Sequence, residues 1–594
     1  MCGILAQVCN RQPIDERIFL RMRDTLAHRG PDDADTWTSS DGMVALGHRR
    51  LAIIDLSKLG RQPLSNEDGT IWLSYNGEIY NFQELRSTLE SNGHRFRSHT
   101  DSEVIVHAYE EWGESCVNRF LGMFAFVIWD DGRQLLFGAR DRLGVKPLHF
   151  SISESGFICA SEIKAIVEHP DVPRILDQSA ICDYLTYRYI PSPKTIWKSV
   201  RKLPPAHTFT YRNGTLRTRR YWTLEQGDTV IPKTDAVEQL AELLEDSVKI
   251  RLISDVPLGV FLSGGLDSSA IAWQMGRIAD RVDSFTIGFG NGEKDETSDA
   301  AQMAEHLKTN HHAEILSESE LENLSTLLWY FDEPFGASSM CPTFLVSRIA
   351  RRNVTVALSG DGGDEALAGY NWYDSLLGIK PNFLRQWMYT QKRRWQPAKE
   401  RLAERYRQTT TPRFQRNQLH QLFSVPLTHL EDDELWFFEQ AIRPDLNGVK
   451  QLQWLDTHTF LPEESLTKVD RASMANSLEV RSPFLDHRLF EWTFSLDEAV
   501  YFGGIKKHLL KELLKHHLPE RTIDKPKRGF SAPVNLYWND VHCNQVLRES
   551  RAVADGLLNS KFMDNLIQQP DDRAIRAQRW LLTVFELWYR KWCV

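Results

Sequence analysis

The sequence has no apolar run long enough to cross a bilayer. The longest, around Phe120–Trp129, is about half of the roughly 20 residues that a spanning helix requires. It also has no basic segment followed by an apolar stretch and a cleavage site at its start, so no secretory leader is expected and a cytoplasmic location is. An excess of positive charge is missing as well. Lys and Arg number 71 against 80 Asp and Glu, for a formal net charge of −9, the wrong sign for a surface built to hold polyanions. Nucleic acid and membrane are therefore not expected partners. The eight cysteines form no C-x-x-C pair, which removes the usual zinc and redox signatures. They read as reduced, buried filler, with Cys2 as the exception. With 34 Gly and 25 Pro there is no collagen-like or linker-like excess, and no repeat or low-complexity tract is present. What remains is an ordinary globular composition in 594 residues, too long for a single core.

The texture changes along the chain. Up to about residue 170, short β-rich segments alternate with few helices. Thr70–Tyr75 reads as a strand, and Asn81 with Glu84 reads as a capping-box variant opening a helix that runs to Glu90 and stops at Gly93. Phe124–Trp129 and Gln134–Phe137 flank Asp131-Gly132, a hairpin signal, and His207–Tyr211 with Leu216–Trp222 flank Asn213-Gly214, another. The polar stretch Glu225–Asp235 marks a junction between 200 and 235, which divides the chain into domains 1–210 and 235–594. From Ala236 onward, long helical patterns are punctuated by apolar strands ending in glycine-rich loops, the pattern of a parallel α/β sheet. The strands are Val256–Leu262, Ser284–Phe289 and Val354–Leu358. Arg385–Arg416 is basic but carries Trp387, Trp395 and Tyr406 at helical spacing, and reads as a solvated helical insertion.

A cysteine at position two becomes the N-terminal residue once Met1 is removed. Its own α-amine, with a pKa of about 7.7–8.0, then lies close enough to a thiol of about 8.5 to serve as its general base. Alone, such a cysteine says little. Here it is followed by His28-Arg29-Gly30-Pro31-Asp32, Gly47-His48-Arg49-Arg50-Leu51, Tyr75-Asn76-Gly77-Glu78-Ile79-Tyr80-Asn81 and Thr100-Asp101. Together these resemble the glutaminase domain of class II, N-terminal-nucleophile glutamine amidotransferases. The resemblance implies a thioester at Cys2 and release of ammonia, with Asn76 and Gly77 as oxyanion hole. It further implies Arg50 against the glutamine α-carboxylate, and Glu78 and Asp101 against its α-ammonium. Read singly, Arg50 is also a surface pair, Asn76-Gly77 a tight turn and Asp101 a helix cap.

In the second half, Val256–Leu262 runs into Ser263-Gly264-Gly265-Leu266-Asp267-Ser268-Ser269 and then a helix. A strand–loop–helix of this kind aims backbone N–H groups, serine hydroxyls and a helix N-terminus at an anion. It lacks the lysine of a P-loop and is similar to the pyrophosphate loop of ATP-pyrophosphatases. A second loop, Ser359-Gly360-Asp361-Gly362-Gly363-Asp364-Glu365, follows another strand. Asp267 and Asp364 are the expected Mg²⁺ ligands beside nucleotide phosphates. Leu262, Ser263, Gly264, Gly265, Asp267, Ser268, Ser269, Ile287, Ser359, Gly360 and Asp361 are the expected ATP contacts.

Val469–Ser477, Glu479–His487 and Lys525–Phe530 complete a resemblance to the glutamine-hydrolysing asparagine synthetases that spans nearly the whole chain. It implies an αββα glutaminase domain, with sheet packed on sheet, followed by an α/β parallel-sheet ATP-pyrophosphatase domain. It also implies adenylation of aspartate, attack by ammonia carried along a dry route between the domains, and a homodimer. By position Lys527 resembles the lysine that steadies the acyl-adenylate, and Tyr370 with Glu479 forms a candidate polar pair near the acceptor. Two departures stand out. The family's second loop has Glu where this chain has Asp361, and its acceptor segment has an arginine where this chain reads Gly336-Ala337-Ser338-Ser339. Arg481, Lys506 or Arg528 is then the expected replacement cation. Another carboxylate acceptor, such as a uronic-acid sugar, and a non-catalytic regulatory role are the competing readings.

Overall fold

The computed structural model describes residues 2–288, 296–315, 324–378, 399–410, 414–425, 435–525, 540–570 and 572–593. Strands of the N-terminal region are β1 (Gly3–Cys9), β2 (Asp33–Thr38), β3 (Val44–Arg50), β4 (Leu64–Ser65), β5 (Ile71–Ile79) and β6 (Gly122–Asp130), followed by β7 (Leu135–Arg140), β8 (His149–Ser153), β9 (Gly156–Ala160), β10 (Val200–Lys202), β11 (His207–Arg212) and β12 (Thr215–Arg220). They form two six-stranded sheets, ordered β10-β8-β9-β1-β3-β2 and β12-β11-β7-β6-β5-β4.

The sheets pack face to face. Period-two alternation on β1 sends Ile4 and Ala6 inward against Val127, Trp129 and Leu136 of the other sheet. Leu5 points outward, to Phe19 and Met22 of the helix Glu16–Asp24. On the far side, the helices Phe82–Ser91 and Asp101–Trp112 cover Leu73, Tyr75 and Phe126. The result is the αββα layering expected. Both hairpins form; the second has Asn213 and Gly214 in left-handed conformations at φ of 50° and 74°, while the first turns over Asp131–Gln134, with Gln134 in the loop at φ of 50° and not in the strand. The second hairpin corrects the boundary at 210: β11 pairs with β7 as well as β12, so the sheet continues through Arg220.

Local capping differs from expectation at two helices. Asn81 is the N-cap residue of Phe82–Ser91 but makes no side-chain cap bond. Its Oδ1 instead accepts from Leu121 N–H at 2.9 Å, tying the helix start to the β6 approach. Thr100, not Asp101, caps the next helix, its hydroxyl accepting from Glu103 N–H.

The C-terminal region has a five-stranded parallel sheet built from β13 (Leu258–Phe261), β14 (Asp283–Gly288), β15 (Asn310–Ile315), β16 (Val356–Leu358) and β17 (Glu479–Arg481). Its order is β15-β14-β13-β16-β17, so the sequence direction reverses between β13 and β16. In open α/β sheets, ligands bind beyond the carboxyl ends of the strands at such a switch point. The helix Lys399–Thr410 corrects the reading of a solvated insertion, since Leu402, Ala403 and Tyr406 are buried in it. Residues 385–398 lie outside the described residues.

The two halves share a core. Ile163, Ile166 and Tyr184 of the first half belong to the same apolar cluster as Leu581 and Trp588 of the last helix, Arg573–Trp592. Tyr184 OH donates to Leu581 O at 2.9 Å, and the rings of Trp197 and Trp588 lie 5.7 Å apart. The described helices include none long and apolar enough to cross a membrane.

Candidate active site

Cys2 precedes β1, whose register pairs Gly3 with Arg49 of β3. That pairing brings Arg50 beside the thiol. The strand expected at Thr70–Tyr75 continues to Ile79, so Asn76-Gly77 lies within β5 and is not a turn. Extended backbone at this point puts Ser74, Asn76 and Glu78 on one face by period two, and Ser74 Oγ donates to Gly47 O on β3, showing that this face looks at the other sheet. Cys2 N–H donates to Asn76 Oδ1 at 2.9 Å. The other end of that amide, Asn76 Nδ2, is buried with no hydrogen-bond partner. A buried donor left open costs stability, and this one is aimed from the residue that holds the nucleophile's own backbone. Gly77 is required for packing, because a Cβ there would lie 2.1 Å from Met123 O.

Cys2 is 8% exposed. Burial pushes its thiol up, while the Leu51 backbone N–H and the Arg50 charge act in the opposite direction. Arg50 is held by carbonyls, with Nη1 donating to Ser57 O at 3.0 Å and Nη2 to Asp55 O at 2.5 Å. These bonds fix the guanidinium without an opposing carboxylate in ion-pair range among the described residues. Asp101 Oδ2 accepts from Tyr75 OH at 2.7 Å and Ile79 N–H at 2.9 Å. Burial nevertheless dominates, raising Asp101 to about 6. Glu78 is raised well above the usual carboxylate range by burial, against the pull of Arg481.

Arg481 crosses from the other half. It is fully buried on β17, 3.0 Å from Glu78 Oε1 through Nη2 and 2.6 Å from Glu479 Oε1 through Nε. Nη1 donates to Arg251 O at 2.8 Å and Ile253 O at 2.7 Å. It is thus committed, which corrects its candidacy as the acceptor's cation. Glu479 is committed too. Tyr370 OH donates to Glu365 Oε1 at 2.7 Å instead of to Glu479. Burial, and then the Asp364 charge, raise Glu365 to about 8.

The two glycine-rich loops meet at the switch point. Gly265 caps the helix Leu266–Ile278, and Gly264, with φ of 68°, leaves no room for a Cβ against Asp299 backbone. Ser263 and Ser268 hydroxyls lie 3.0 Å apart and shape the turn, with Ser263 N–H donating to Ser268 Oγ at 3.2 Å. Ser269 Oγ is buried without a hydrogen-bond partner. A Cβ on Gly360 would come within 2.8 Å of Asp267 Cβ, and one on Gly363 within 2.9 Å of Asp267 Oδ1. Glycine therefore lets the loops touch. Leu262 N–H donates to Phe285 O, and Ile287, buried on β14, stands one strand away. Asp361 Oδ2 accepts from Ser359 Oγ at 2.7 Å, and its backbone carbonyl accepts from Ser482 Oγ.

Asp267 and Asp364 converge, and Lys507 joins them. Its ammonium pairs with Asp267 and lies 2.6 Å from Asp364 Oδ1. A close approach by Gly369 makes room, since a Cβ there would sit 2.1 Å from Lys507 Cε. Two carboxylates satisfied by a buried cation form a donor set of the kind that Mg²⁺ takes beside phosphates. Sequence reading missed Lys507; the signal was the run Gly503-Gly504-Ile505-Lys506-Lys507 before the helix His508–Leu514, whose two glycines take left-handed φ of 53° and 85°. Lys506 itself pairs with Asp374 at 3.0 Å. Lys527 and Arg528 lie outside the described residues.

Between the centres runs a buried ionic seam. Arg29 Nε donates to Cys2 O at 3.0 Å, and its Nη1 lies 2.7 Å from Glu162 and 2.8 Å from Asp470. Arg471 pairs with Glu162 at 2.8 Å and Asp332 at 3.1 Å, and Lys164 with Asp332 at 2.8 Å. Beside it a cavity is lined by Val145 and Lys146 from the first half and by Ser359, Asp361, Val469 and Val480 from the second.

This arrangement joins an N-terminal thiol centre of the class II amidotransferase type to a nucleotide-loop centre. Residues 1–222 match the glutamine amidotransferase domain model and residues 239–590 the asparagine synthase model. The chain belongs to the asparagine synthase family. It is 31% identical over 99% of its length to asparagine synthetase [glutamine-hydrolyzing] 1 of Bacillus subtilis, covering 96% of that protein. It is 34% identical over 96% of its length to asparagine synthetase [glutamine-hydrolyzing] 3 of the same organism, covering 93% of it. Amidase chry2 of Gibberella zeae is also similar, at 27% identity over 91% of this chain and 90% of that one.

Proposed function

We propose that the protein is a glutamine-hydrolysing, ATP-dependent amide synthetase that converts aspartate to asparagine. In this reading Cys2, freed of Met1, attacks the glutamine amide. Asn76 Nδ2 and Gly77 N–H receive the oxyanion, Arg50 takes the α-carboxylate, and Glu78 and Asp101 take the α-ammonium. Ammonia leaves, and water cleaves the thioester to glutamate. At the second centre the aspartate side-chain carboxylate attacks the α-phosphorus of ATP and displaces pyrophosphate. Ammonia then attacks the acyl carbon, giving asparagine and AMP. The reading requires a dry path for ammonia between the two centres, keeping water from the adenylate.

Asp267 and Asp364 would hold Mg²⁺, which supplies charge neutralisation on the pyrophosphate. The Ser263–Ser269 and Ser359–Asp361 loops, with Leu262 and Ile287, would receive ATP. Lys507 is the lysine we assign to the phosphates, on its contact with both carboxylates. The observation that carries the reading is continuity: Arg481 pairs with Glu78 at one centre while its carbonyl accepts from Ser359 N–H, at 2.9 Å, at the other. Eight cysteines with no disulfide among them suit a reducing, cytoplasmic compartment, and a homodimer is carried over from the family resemblance.

The test is amide transfer from ¹⁵N-labelled glutamine in the presence of aspartate, ATP and Mg²⁺, with pyrophosphate release followed in parallel. Cys2→Ala should lose glutamine-dependent synthesis and keep ammonia-dependent synthesis. Failure of aspartate to stimulate pyrophosphate release would overturn the choice of acceptor, and uronic-acid sugars are then the next substrates to assay.

A further inference from the structure

On the outer layer of the first half, three side chains converge away from both centres. His107 and Glu110 lie at i and i+3 on the helix Asp101–Trp112, and His94 comes from the turn after Phe82–Ser91. His107 Nδ1 lies 2.7 Å and His94 Nδ1 3.6 Å from Glu110 Oε2. One ligand atom from each residue fits within a mutual separation of 4.8 Å. Around a tetrahedral Zn²⁺ with bonds of about 2.0–2.1 Å, ligand atoms stand roughly 3.3 Å apart. The two spacings to Glu110 Oε2 bracket that value.

The groups behind these three are also those of a metal centre. A ligating histidine commonly turns its other ring nitrogen to a carboxylate, which fixes the ring and raises its basicity. Here His107 Nε2, buried and without a hydrogen-bond partner, faces Glu103 Oε1 at 3.8 Å. His94 Nε2 lies 3.2 Å from Glu111 Oε2. Glu103 is itself anchored by Arg97 and Ser98 backbone N–H groups at 2.8 and 2.7 Å. Asn66 Nδ2 donates to Glu110 Oε1 at 2.8 Å, leaving Oε2 for the cluster. His107 is 1% exposed, while His94 and Glu110 side chains are 16% and 22% exposed, so an ion can enter from solvent and keep a water as its fourth ligand.

We propose that His94, His107 and Glu110 bind a divalent transition-metal ion of the Zn²⁺ class, clamping the turn after Phe82–Ser91 to the helix that begins at Asp101. Two imidazoles and a carboxylate suit Zn²⁺ and not Mg²⁺. The site is independent of the amide-forming chemistry.

The test uses the full chain after chelator treatment, titrated with Zn²⁺ against a chromophoric competitor, and with Co²⁺ read by its visible spectrum. The wild type should bind one more equivalent of Zn²⁺ than His94→Ala and give a tetrahedral Co²⁺ band that the variant lacks. Glu103→Gln should weaken the same site by about 10- to 100-fold. His94→Ala should keep wild-type glutaminase and synthetase rates and, without metal, the wild-type thermal midpoint. Equal Zn²⁺ stoichiometry in the wild type, His94→Ala and Glu110→Gln would overturn the proposal and leave the cluster an imidazolium–carboxylate pairing only.

Discussion

Glu78 and Arg481 meet 3.0 Å apart across the seam between the two halves, although one lies on β5 and the other on β17. Arg481 also answers Glu479 at 2.6 Å, so one guanidinium serves two buried carboxyl groups, of which Glu479 is held charged. Removing it would strand both. Arg481→Met should therefore destabilise the fold by about 3–5 kcal/mol, the typical cost of orphaning a buried charge. Thermal denaturation measures this, and Arg481→Lys should rescue it poorly, because an ammonium cannot reproduce the planar fork. An unchanged melting temperature in Arg481→Met would show that the pair carries no load.

Asn76 offers an unpaired amide N–H beside Cys2. If that donor receives the oxyanion, Asn76→Ala lowers the glutaminase kcat by about 10²–10³-fold. Ammonia-dependent synthesis should persist. Steady-state assays with each nitrogen source separate the two.

Asp101 should make glutamine binding depend on pH. Burial raises it from the usual 3.8 to about 6, so its charge disappears as pH falls through that value. Glutamine keeps its ammonium throughout, and its KM should rise below about pH 6, by at most about tenfold per unit. For folding the sign is opposite: with a raised folded pKa, the stabilising contribution is present below 3.8 and is lost as pH climbs through about 6. Glutamine should consequently protect against heat more at about pH 8 than at about pH 5. Asp101→Asn should flatten both profiles.

Lys507→Ala should depress ATP–pyrophosphate exchange by about 10²-fold or more, leaving glutamine hydrolysis measurable. With the ammonium gone, Asp267 and Asp364 lose a competing cation, so the residual exchange should saturate at lower Mg²⁺. Exchange at the wild-type rate would remove Lys507 from the phosphate site.

The glycine-rich loops and the residues around Cys2 were legible because their chemistry is local. A loop needs its glycines in sequence, and β5 needs Asn76 and Glu78 two apart. β17 was not legible: Glu479-Val480-Arg481 is short and charged, and its parallel pairing with β16 depends on a distant strand. β15 hid for a similar reason, since Asn310-His311-His312 at an edge carries no apolar alternation. Asn76-Gly77 imitates a turn locally, and only pairing with Phe124 and Ala125 keeps it extended. Lys507 and Arg481 acquire meaning from partners far away in the chain, which no local spacing encodes.

The apolar cluster that runs from Ile163 and Tyr184 into Leu581 and Trp588 has a consequence for anyone wishing to dissect the molecule. The helices Ile163–Val167 and Gln178–Tyr187 of the first half have no water-facing coat on that side; the last helix of the chain is their coat. Cutting at the linker near residue 225 would lay bare a greasy face together with Arg29, Glu162 and Lys164, charges whose counterparts stay with the other fragment. The amidotransferase half of this enzyme is consequently not a portable module, and grafting it onto another synthetase would require bringing the surface of Arg573–Trp592 along with it.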